Sequence, residues 1–260
     1  SWLQDRLGQE GKANAIFVAG QETSQAAPPE ADEALSATFE PPPADLGISV
    51  TKTDLGYFNV TSQQMMLTEP VESELVRAIG DRTIQPALTY LANAIALADE
   101  GDEGDEEVPY STITAVDFAD APPLGPFLSP DGQPLAPLAD GEIALNSWAA
   151  EDLKAQIGDV IRVRYFEPES THGNVEETET ELRLAAIVQL EGAAADPGFT
   201  PEVDGVTDQQ SIGDWDPPFP FDARAIRDQD ETYWDDHRAT PKAFVSLETG
   251  RELWGSRFGE

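Results

Sequence analysis

Apolar and polar residues alternate along two segments of the chain, at the spacing of β-strands with one buried face. The segments are Val160 to Phe166 and Glu181 to Leu190. Their alternating apolar positions are Ile161, Val163 and Tyr165 in the first, and Leu182, Leu184, Ala186 and Val188 in the second. Both segments are therefore predicted strands.

Shorter segments rich in β-branched and aromatic residues predict further strands. Ile48 to Val60 is interpreted as one or two strands with a turn or bulge at Gly56. The other predicted strands are Tyr110 to Phe118, Glu142 to Leu145 and Ala243 to Leu247.

A helix is predicted over Glu69 to Ile79, with apolar residues four apart on one face. Thr68 is placed to cap it, Pro70 suits its first turn, and Gly80 would end it. A second stripe with helical spacing follows at Ile84, Leu88, Leu91 and Ile95. This stripe predicts a second helix docked on the core, and Pro86 confines where it starts.

One segment predicts a strand-helix-strand unit. The strand Glu142 to Leu145 leads into a helix that Asn146 or Ser147 can cap and that runs through Ile157. A Gly-Asp turn then introduces the strand Val160 to Phe166. The unit predicts a mixed β-sheet with helices packed on it.

Long loops separate these elements, marked by Pro, Gly or acidic composition. They are Gln21 to Ala44, Asp99 to Glu107, Ala121 to Pro137 and Gly192 to Pro220. The last holds isolated apolar anchors at Phe199, Ile212, Trp215 and Phe219, and a short helix is predicted near Asp230 in the segment that follows. Toward the N-terminus, Ala13 to Ala19 is interpreted as a short helix or loop leading into a buried strand.

Charge limits the partners of the chain. The 260 residues carry 50 Asp and Glu against 15 Lys and Arg, a formal net charge of -35. This charge repels phosphate backbones and anionic lipid surfaces, so we expect no nucleic-acid partner. No stretch reaches the roughly 20 mainly apolar residues of a membrane helix. Because the chain begins Ser1-Trp2 without a methionine or signal-like stretch, we expect natural segments to flank it.

Few residues are candidates for chemistry. Cysteine is absent, which excludes disulfides and thiolate sites, and there are two histidines and no G-x-S-x-G elbow. His172 is interpreted as a surface residue in a polar turn, and His237 as a loop anchor or, alternatively, a metal ligand. Five carboxylates could supply oxygen ligands for calcium in an irregular site. They are Asp196, Asp204, Asp208, Asp214 and Asp216.

The segment EIALNSWAAEDLKAQIGDVIRVRYF, residues 142–166, resembles the strand, helix, Gly-Asp turn and strand of periplasmic core domains in MacB-like and FtsX-like ABC transporter permeases. The ending PKAFVSLETGRELWGSRFG, residues 241–259, resembles the strand and turn that return toward the second membrane helix in that family. TYLANAI at 89–95 and VPYSTITAVD at 108–117 also resemble parts of such ectodomains, so the resemblance spans roughly residues 85 to 260. The loops at 21–44, 99–107 and 192–238 exceed the compact family pattern.

The resemblance implies a domain inserted between the first two membrane helices of a permease that works as a dimer. ATP hydrolysis is then expected in a separate cytoplasmic ATPase subunit or domain, and the chain has no G-x-x-x-x-G-K-[ST] phosphate loop of its own. The implied role is to couple ATP-driven movement of the membrane helices to a substrate or partner outside the membrane, in efflux, lipoprotein release or mechanotransmission.

The expected fold class is α+β: a mixed β-sheet with packed helices, like a MacB-like periplasmic core domain, with a β-α-β unit and long Pro/Gly/Asp-rich loops. Residues 1–260 are expected to form one extracytoplasmic domain or two subdomains, approximately 1–140 and 141–260. We predict no catalytic residue, no cofactor and no specific metal ligand. The alternative function is a secreted acidic adhesion or calcium-binding domain, and a carbohydrate-active enzyme is a third interpretation based only on the abundance of acids and aromatics.

Overall fold

A computed structural model of the protein describes residues 43, 47–53, 55–62, 67–98, 107–121, 124–168, 175–217 and 219–255. Contacts divide the chain into two units, Ser1–Leu46 and Gly47–Glu260, and all elements below belong to the second. The predictions for residues 2–42, most of the acidic loop at 99–107 and His172 lie outside the described residues.

Six strands form a closed barrel. They are β3 (Ala87–Leu97), β4 (Val108–Val116), β5 (Glu142–Asn146), β6 (Val160–Phe166), β7 (Glu177–Val188) and β8 (Ala243–Val245). Their order is β3-β4-β8-β5-β7-β6, and β6 pairs with β3 to close the ring. The β4–β8 and β5–β7 pairs are parallel and the others antiparallel. The predicted α+β class with a mixed sheet is therefore confirmed. The sequence did not predict that the sheet closes into a barrel. Strands β3 and β4 come before residue 140, the expected subdomain boundary, and the other four strands of the same barrel come after it.

The other main elements of the described residues are a separate hairpin and four α-helices, and short 3-10 helices lie in the loops. The hairpin pairs β1 (Ile48–Lys52) with β2 (Phe58–Ser62), and Gly56 has a φ of 93° in its turn, as the sequence predicted. The helices are α1 (Glu69–Ile79), α2 (Ser147–Asp152), α3 (Asp228–His237) and α4 (Leu247–Trp254). The predicted bounds of α1 are confirmed, although the Thr68 side chain makes no capping bond.

The helix predicted from the stripe at residues 84–95 is wrong, because this segment is strand β3. Leu88 and Ile95 pack in the barrel core, whereas Leu91 packs against an outer cluster. The register against β6 shifts between Ala92 and Ala94, a bulge that restores Ile95 to the core. Apolar residues are thus buried on both faces of β3 and a bulge shifts their alternation, so their spacing along the sequence matches that of a helix.

Two helix boundaries also differ from prediction. Asn146 caps α2 by accepting from the Ala149 backbone N–H at 2.8 Å, as predicted, but the helix ends at Asp152 rather than Ile157. Lys154 has a φ of 54°, a left-handed conformation that turns the chain and ends the helix. Near the end of the chain, Leu247–Trp254 forms α4 instead of the predicted strand end and turn, and the Ser246 hydroxyl accepts from the Thr249 N–H to cap it.

A bulge in β7 modifies the predicted alternation. All four predicted apolar positions are buried. Leu182 and Leu184 pack in the barrel core, but Ala186 and Val188 pack in an outer cluster. The register against β5 shifts between these two pairs, so the strand changes the face that it turns to the core.

Apolar residues are buried on both faces of the barrel wall. The inner core gathers side chains from all six strands, together with α2 and Trp254 of α4. One outer cluster surrounds Phe127 and Phe244, and another surrounds Trp215 and Trp234. The predicted anchors Ile212 and Trp215 are buried there, which shows why the long loop at 192–220 is ordered in short 3-10 turns. Within the described part of the chain, no helix is long and apolar enough to cross a bilayer.

Gly250 allows α4 to approach the barrel. A Cβ atom on this residue would lie 2.1 Å from the Cβ of Ala115 in β4. Replacing Gly250 with Ala is expected to lower the free energy of unfolding by about 1–3 kcal/mol in urea denaturation, because overpacking outweighs the gain in helix propensity. Glu252→Ala on the exposed face of the same helix is the control and should change stability by less than about 0.5 kcal/mol. Equal stability of the two variants would contradict this packing.

Candidate functional site

A cavity of about 200 Å³ lies on the outer side of the barrel. Its floor comes from β3 and β4, including Leu91 and Thr112. The loop after residue 199 and helix α3 form its walls, with Trp215 and Trp234 among the lining residues. An ordered loop held over a rigid sheet is a common setting for a binding site.

Aromatic rings hold these walls together. The rings of Trp215 and Trp234 meet edge to face, with centroids 5.2 Å apart at 71°. Phe221 packs on Trp215 at 5.7 Å and on Tyr110 at 4.8 Å. The Tyr110 hydroxyl also accepts from the Asp222 backbone N–H at 2.9 Å, which ties the loop to strand β4. Because each ring packs on another, the cavity is held open rather than formed by loose side chains.

Two side chains that line the cavity carry a buried indole donor with no acceptor among the described residues. The indole nitrogens of Trp215 and Trp234 make no hydrogen bond with the described residues, and the two side chains are 8% and 4% exposed. An indole N–H can only donate, and leaving it unpaired costs about 1–3 kcal/mol. Trp254 in the barrel core has the same feature but does not line the cavity.

The residues lining the cavity include two cations and no acid, in a chain with 50 acidic residues. The cations are Arg238, whose guanidinium carbon lies 5.4 Å from the Trp234 ring centroid, and Lys242. The cavity is therefore electrostatically distinct from the acidic surface that the composition implies.

Two lining residues have unusual backbone conformations. Tyr110 within β4 has a φ of 37°, and Arg238 at the end of α3 has a φ of 55°. For residues other than glycine such angles cost about 1–3 kcal/mol and persist only where the surroundings enforce them. Strain of this kind concentrates at functional sites.

A buried lysine lies beside the cavity. The ammonium of Lys242 lies 4.4 Å and 4.8 Å from the ring centroids of Trp148 and Tyr233, and 3.4 Å from Asp230 Oδ1. Arg227 bonds the same carboxylate through Nε at 2.7 Å and bonds Asp152 Oδ2 through Nη2 at 2.6 Å. These four charged residues are called the ion network below: Lys242, Asp230, Arg227 and Asp152.

The ion network is continuous with the cap of α2. Asn146 Nδ2 donates to Tyr233 Oη at 2.9 Å and to the Pro241 carbonyl at 3.0 Å. Burial raises the pKa of Tyr233, and the bond from Asn146 lowers it by less. Tyr233 in turn donates to the Thr240 carbonyl at 3.0 Å. These groups use their polar atoms in structural hydrogen bonds.

The structure places the sequence-predicted candidates apart. His237 ends α3, with its ring centroid 4.9 Å from that of Tyr233 and its carbonyl accepting from the Thr240 hydroxyl at 2.6 Å, which is a structural role. Asp196 accepts from the hydroxyl of Tyr57 and from the Gly198 N–H at 2.8 Å, so it anchors the hairpin. Across the described ranges, no three His, Asp or Glu side chains are grouped to hold a metal ion.

Sequence reasoning missed the cavity and the ion network. Lys242 immediately precedes the apolar run of β8, but a lysine at a strand end is ordinarily exposed, so its burial could not be predicted from the sequence. Trp234 lies in the segment where a short helix is predicted near Asp230. Its pairing with Trp215 depends on the course of the loop, which local pattern does not determine.

The chain matches no family model and no curated protein.

Removing the acid of the ion network should destabilise the fold. Asp230 is fully buried and accepts from two cations, so Asp230→Asn is expected to lower the free energy of unfolding by about 3–5 kcal/mol in chemical denaturation. Asp235→Asn, at an exposed position of the same helix, is the matched control. A loss below about 1 kcal/mol for Asp230→Asn would show that the ion network is not needed for folding.

The buried lysine should also make stability depend on pH. Burial lowers the pKa of Lys242 from 10.5 to about 8, more than Asp230 raises it. Between those values the unfolded chain binds more protons than the folded chain, so the free energy of unfolding should rise with pH. We expect a rise of about 1–2 kcal/mol between pH 8 and pH 9.5 in the native chain relative to Lys242→Met.

The measurement is urea denaturation of both proteins across this pH range. Burial raises the pKa of Tyr90 to about 12 and also raises that of Tyr233. Above pH 10 these two tyrosines lower the free energy of unfolding as pH rises, so the measurement stops below pH 10. Parallel stability curves for the two proteins would contradict the assignment.

Proposed function

We propose that this chain is a non-catalytic extracytoplasmic domain of an ABC transporter permease of the MacB-like or FtsX-like type. It couples ATP-driven movement of membrane helices in the same protein to the handling of a substrate or partner. Its partners are those helices, a cytoplasmic ATPase and a second permease.

The single observation that carries the proposal is the pairing of the two segments that resemble this family. Strand β5 of the first segment pairs antiparallel with β8 of the second, Ile143 opposite Val245 and Leu145 opposite Ala243. Residues 98 to 102 apart in sequence therefore pair in one structural unit, as parts of a common domain should. The first segment also has the expected strand, short helix, turn and strand.

The barrel is suited to transmitting force. A closed sheet has no free edge at which strands can slip, and buried apolar clusters on both faces resist deformation. A displacement applied at one end of such a body moves the whole body. The polar residues in the ion network hold the fold, and this arrangement supports a coupling role rather than an enzymatic one.

Location is the first test of this proposal. The 260 residues lack cysteine, so once any cysteine of the flanking segments is replaced by serine, one cysteine at an exposed position reports which side of the membrane the domain occupies. Ile157 is 64% exposed, and Ala144 is fully buried and serves as the control. In cells expressing the complete gene product with its own flanking segments, we expect a membrane-impermeant maleimide to label Ile157→Cys without lysis and to leave Ala144→Cys unlabelled.

Association with an ATPase is the second arm of the same experiment. The complete protein, extracted in detergent, should copurify with an ATPase or contain an ATPase domain. Labelling of Ile157→Cys only after lysis, or a complete protein without membrane segments and without an ATPase, would overturn the proposal.

A further inference from the structure

The cavity on the outer side of the barrel is lined mainly by carbon. Leu91, Val206 and Ile212 contribute aliphatic side chains, and most of the other large side chains in the lining are aromatic. The indole nitrogens of Trp215 and Trp234 are buried in the protein, so these two rings contribute carbon to the surface of the cavity. Such a lining favours an apolar ligand.

Most hydroxyl groups of the lining already have acceptors within the protein. Tyr90 donates to the Phe166 carbonyl at 2.8 Å, and Tyr233 donates to the Thr240 carbonyl at 3.0 Å. Six smaller side chains of the lining also donate to backbone carbonyls: Thr89, Ser111, Thr112, Thr200, Thr207 and Thr240. Because these donors are in use, water in the cavity is weakly held, and an apolar ligand that displaces weakly held water gains free energy.

The two cations of the lining are also partnered. The Lys242 ammonium lies 3.4 Å from Asp230 Oδ1, and the lysine is 4% exposed. The Arg238 guanidinium carbon lies 5.4 Å from the Trp234 ring centroid, and Nη1 of the same arginine donates to the Gln210 carbonyl at 3.3 Å. An ionised ligand therefore loses its hydration without meeting an unpaired counter-charge. The cavity favours neutral ligands over both anions and cations.

Volume and access limit the ligand to about one ring. The cavity measures about 200 Å³, and an apolar cavity of about 150 Å³ is sufficient for benzene. Its lining runs from buried Ile212 to half-buried Phe219 and exposed Arg238, so the cavity reaches the protein surface. The edge-to-face contact of Trp215 with Trp234 fixes the wall, so a ligand enters a space that already exists.

We propose that this cavity binds a small neutral apolar molecule of the size of one substituted ring, such as an alkylbenzene. The ligand lies between Leu91 of strand β3 and the rings of Trp215 and Trp234. Burial of its apolar surface holds it there, rather than a hydrogen bond or an ion pair. This binding follows from the cavity alone and does not depend on the transporter assignment.

Nuclear magnetic resonance of methyl groups tests this binding, with toluene as the probe. In a sample with ¹³C-labelled Ile, Leu and Val methyl groups, toluene should give nuclear Overhauser effects to Leu91, Val206 and Ile212. It should give none to Ile143 and Leu184, which lie in the barrel core. We expect a dissociation constant of about 1 mM or tighter. Benzoate and benzylammonium, which carry one charge on a similar ring, should bind at least about 10-fold more weakly.

Two matched variants separate binding in the cavity from general effects. Ala239→Phe fills the cavity and should abolish toluene binding, while Ala223→Phe makes the same change at an exposed position and should bind as the native chain does. If Ala239→Phe loses the native methyl signals of the barrel core, Val203→Phe replaces it, because Val203 also lines the cavity.

Three results would each overturn the proposal. The first is that toluene at about 5 mM contacts none of the three cavity methyl-bearing residues. The second is that benzoate or benzylammonium binds as tightly as toluene. The third is that a folded cavity-filling variant binds toluene as the native chain does.

Discussion

Strand β8 is three residues long, yet the barrel closes through it. It lies between β4 and β5, parallel to the first and antiparallel to the second, and all its residues are buried. So short a strand contributes few hydrogen bonds of its own. Lys242, the residue before it, extends the pairing on both sides, because its N–H donates to the Thr112 carbonyl in β4 and its carbonyl accepts from the Asn146 N–H in β5.

The side chain of Lys242 is buried as well, and it links this part of the barrel to helix α3. A buried ammonium needs a counter-charge, which Asp230 provides from helix α3. Helix α3 in turn brings Trp234 against Trp215, and the loop between them closes over β3 and β4. The wall of the cavity that α3 provides is therefore tied to the barrel through the pair of Asp230 and Lys242.

Sequence pattern predicted β6 and β7 from alternation, β4, β5 and β8 from composition, and helix α1 from apolar residues four apart on one face. It failed at β3, where Leu88 and Leu91 are buried on opposite sides of the wall and a bulge intervenes. Helix α4 was missed because Gly250 interrupts its helix propensity, and that glycine is required by contact with Ala115, which only the fold reveals. The ion network joins Asp152, Arg227 and Lys242 across 90 residues of sequence, and no local signal connects such positions.

The lining of the cavity contains no acidic side chain, unlike the chain as a whole. With a net charge of -35, an acidic side chain would be expected by chance at almost any surface of this size, yet the lining has none. Acids that approach this region are instead paired, as Asp230 is with Arg227 and Lys242, or bonded to backbone N–H groups, as Glu231 is with Ile212 at 3.0 Å and Gly213 at 2.8 Å. Carboxylates thus lie behind the walls, where each has its own hydrogen-bond donors, while the lining is mainly aromatic and aliphatic. The acidic surface of the chain and the acid-free lining are compatible, because a carboxylate in a wall is stable only where N–H groups or cations pair with it.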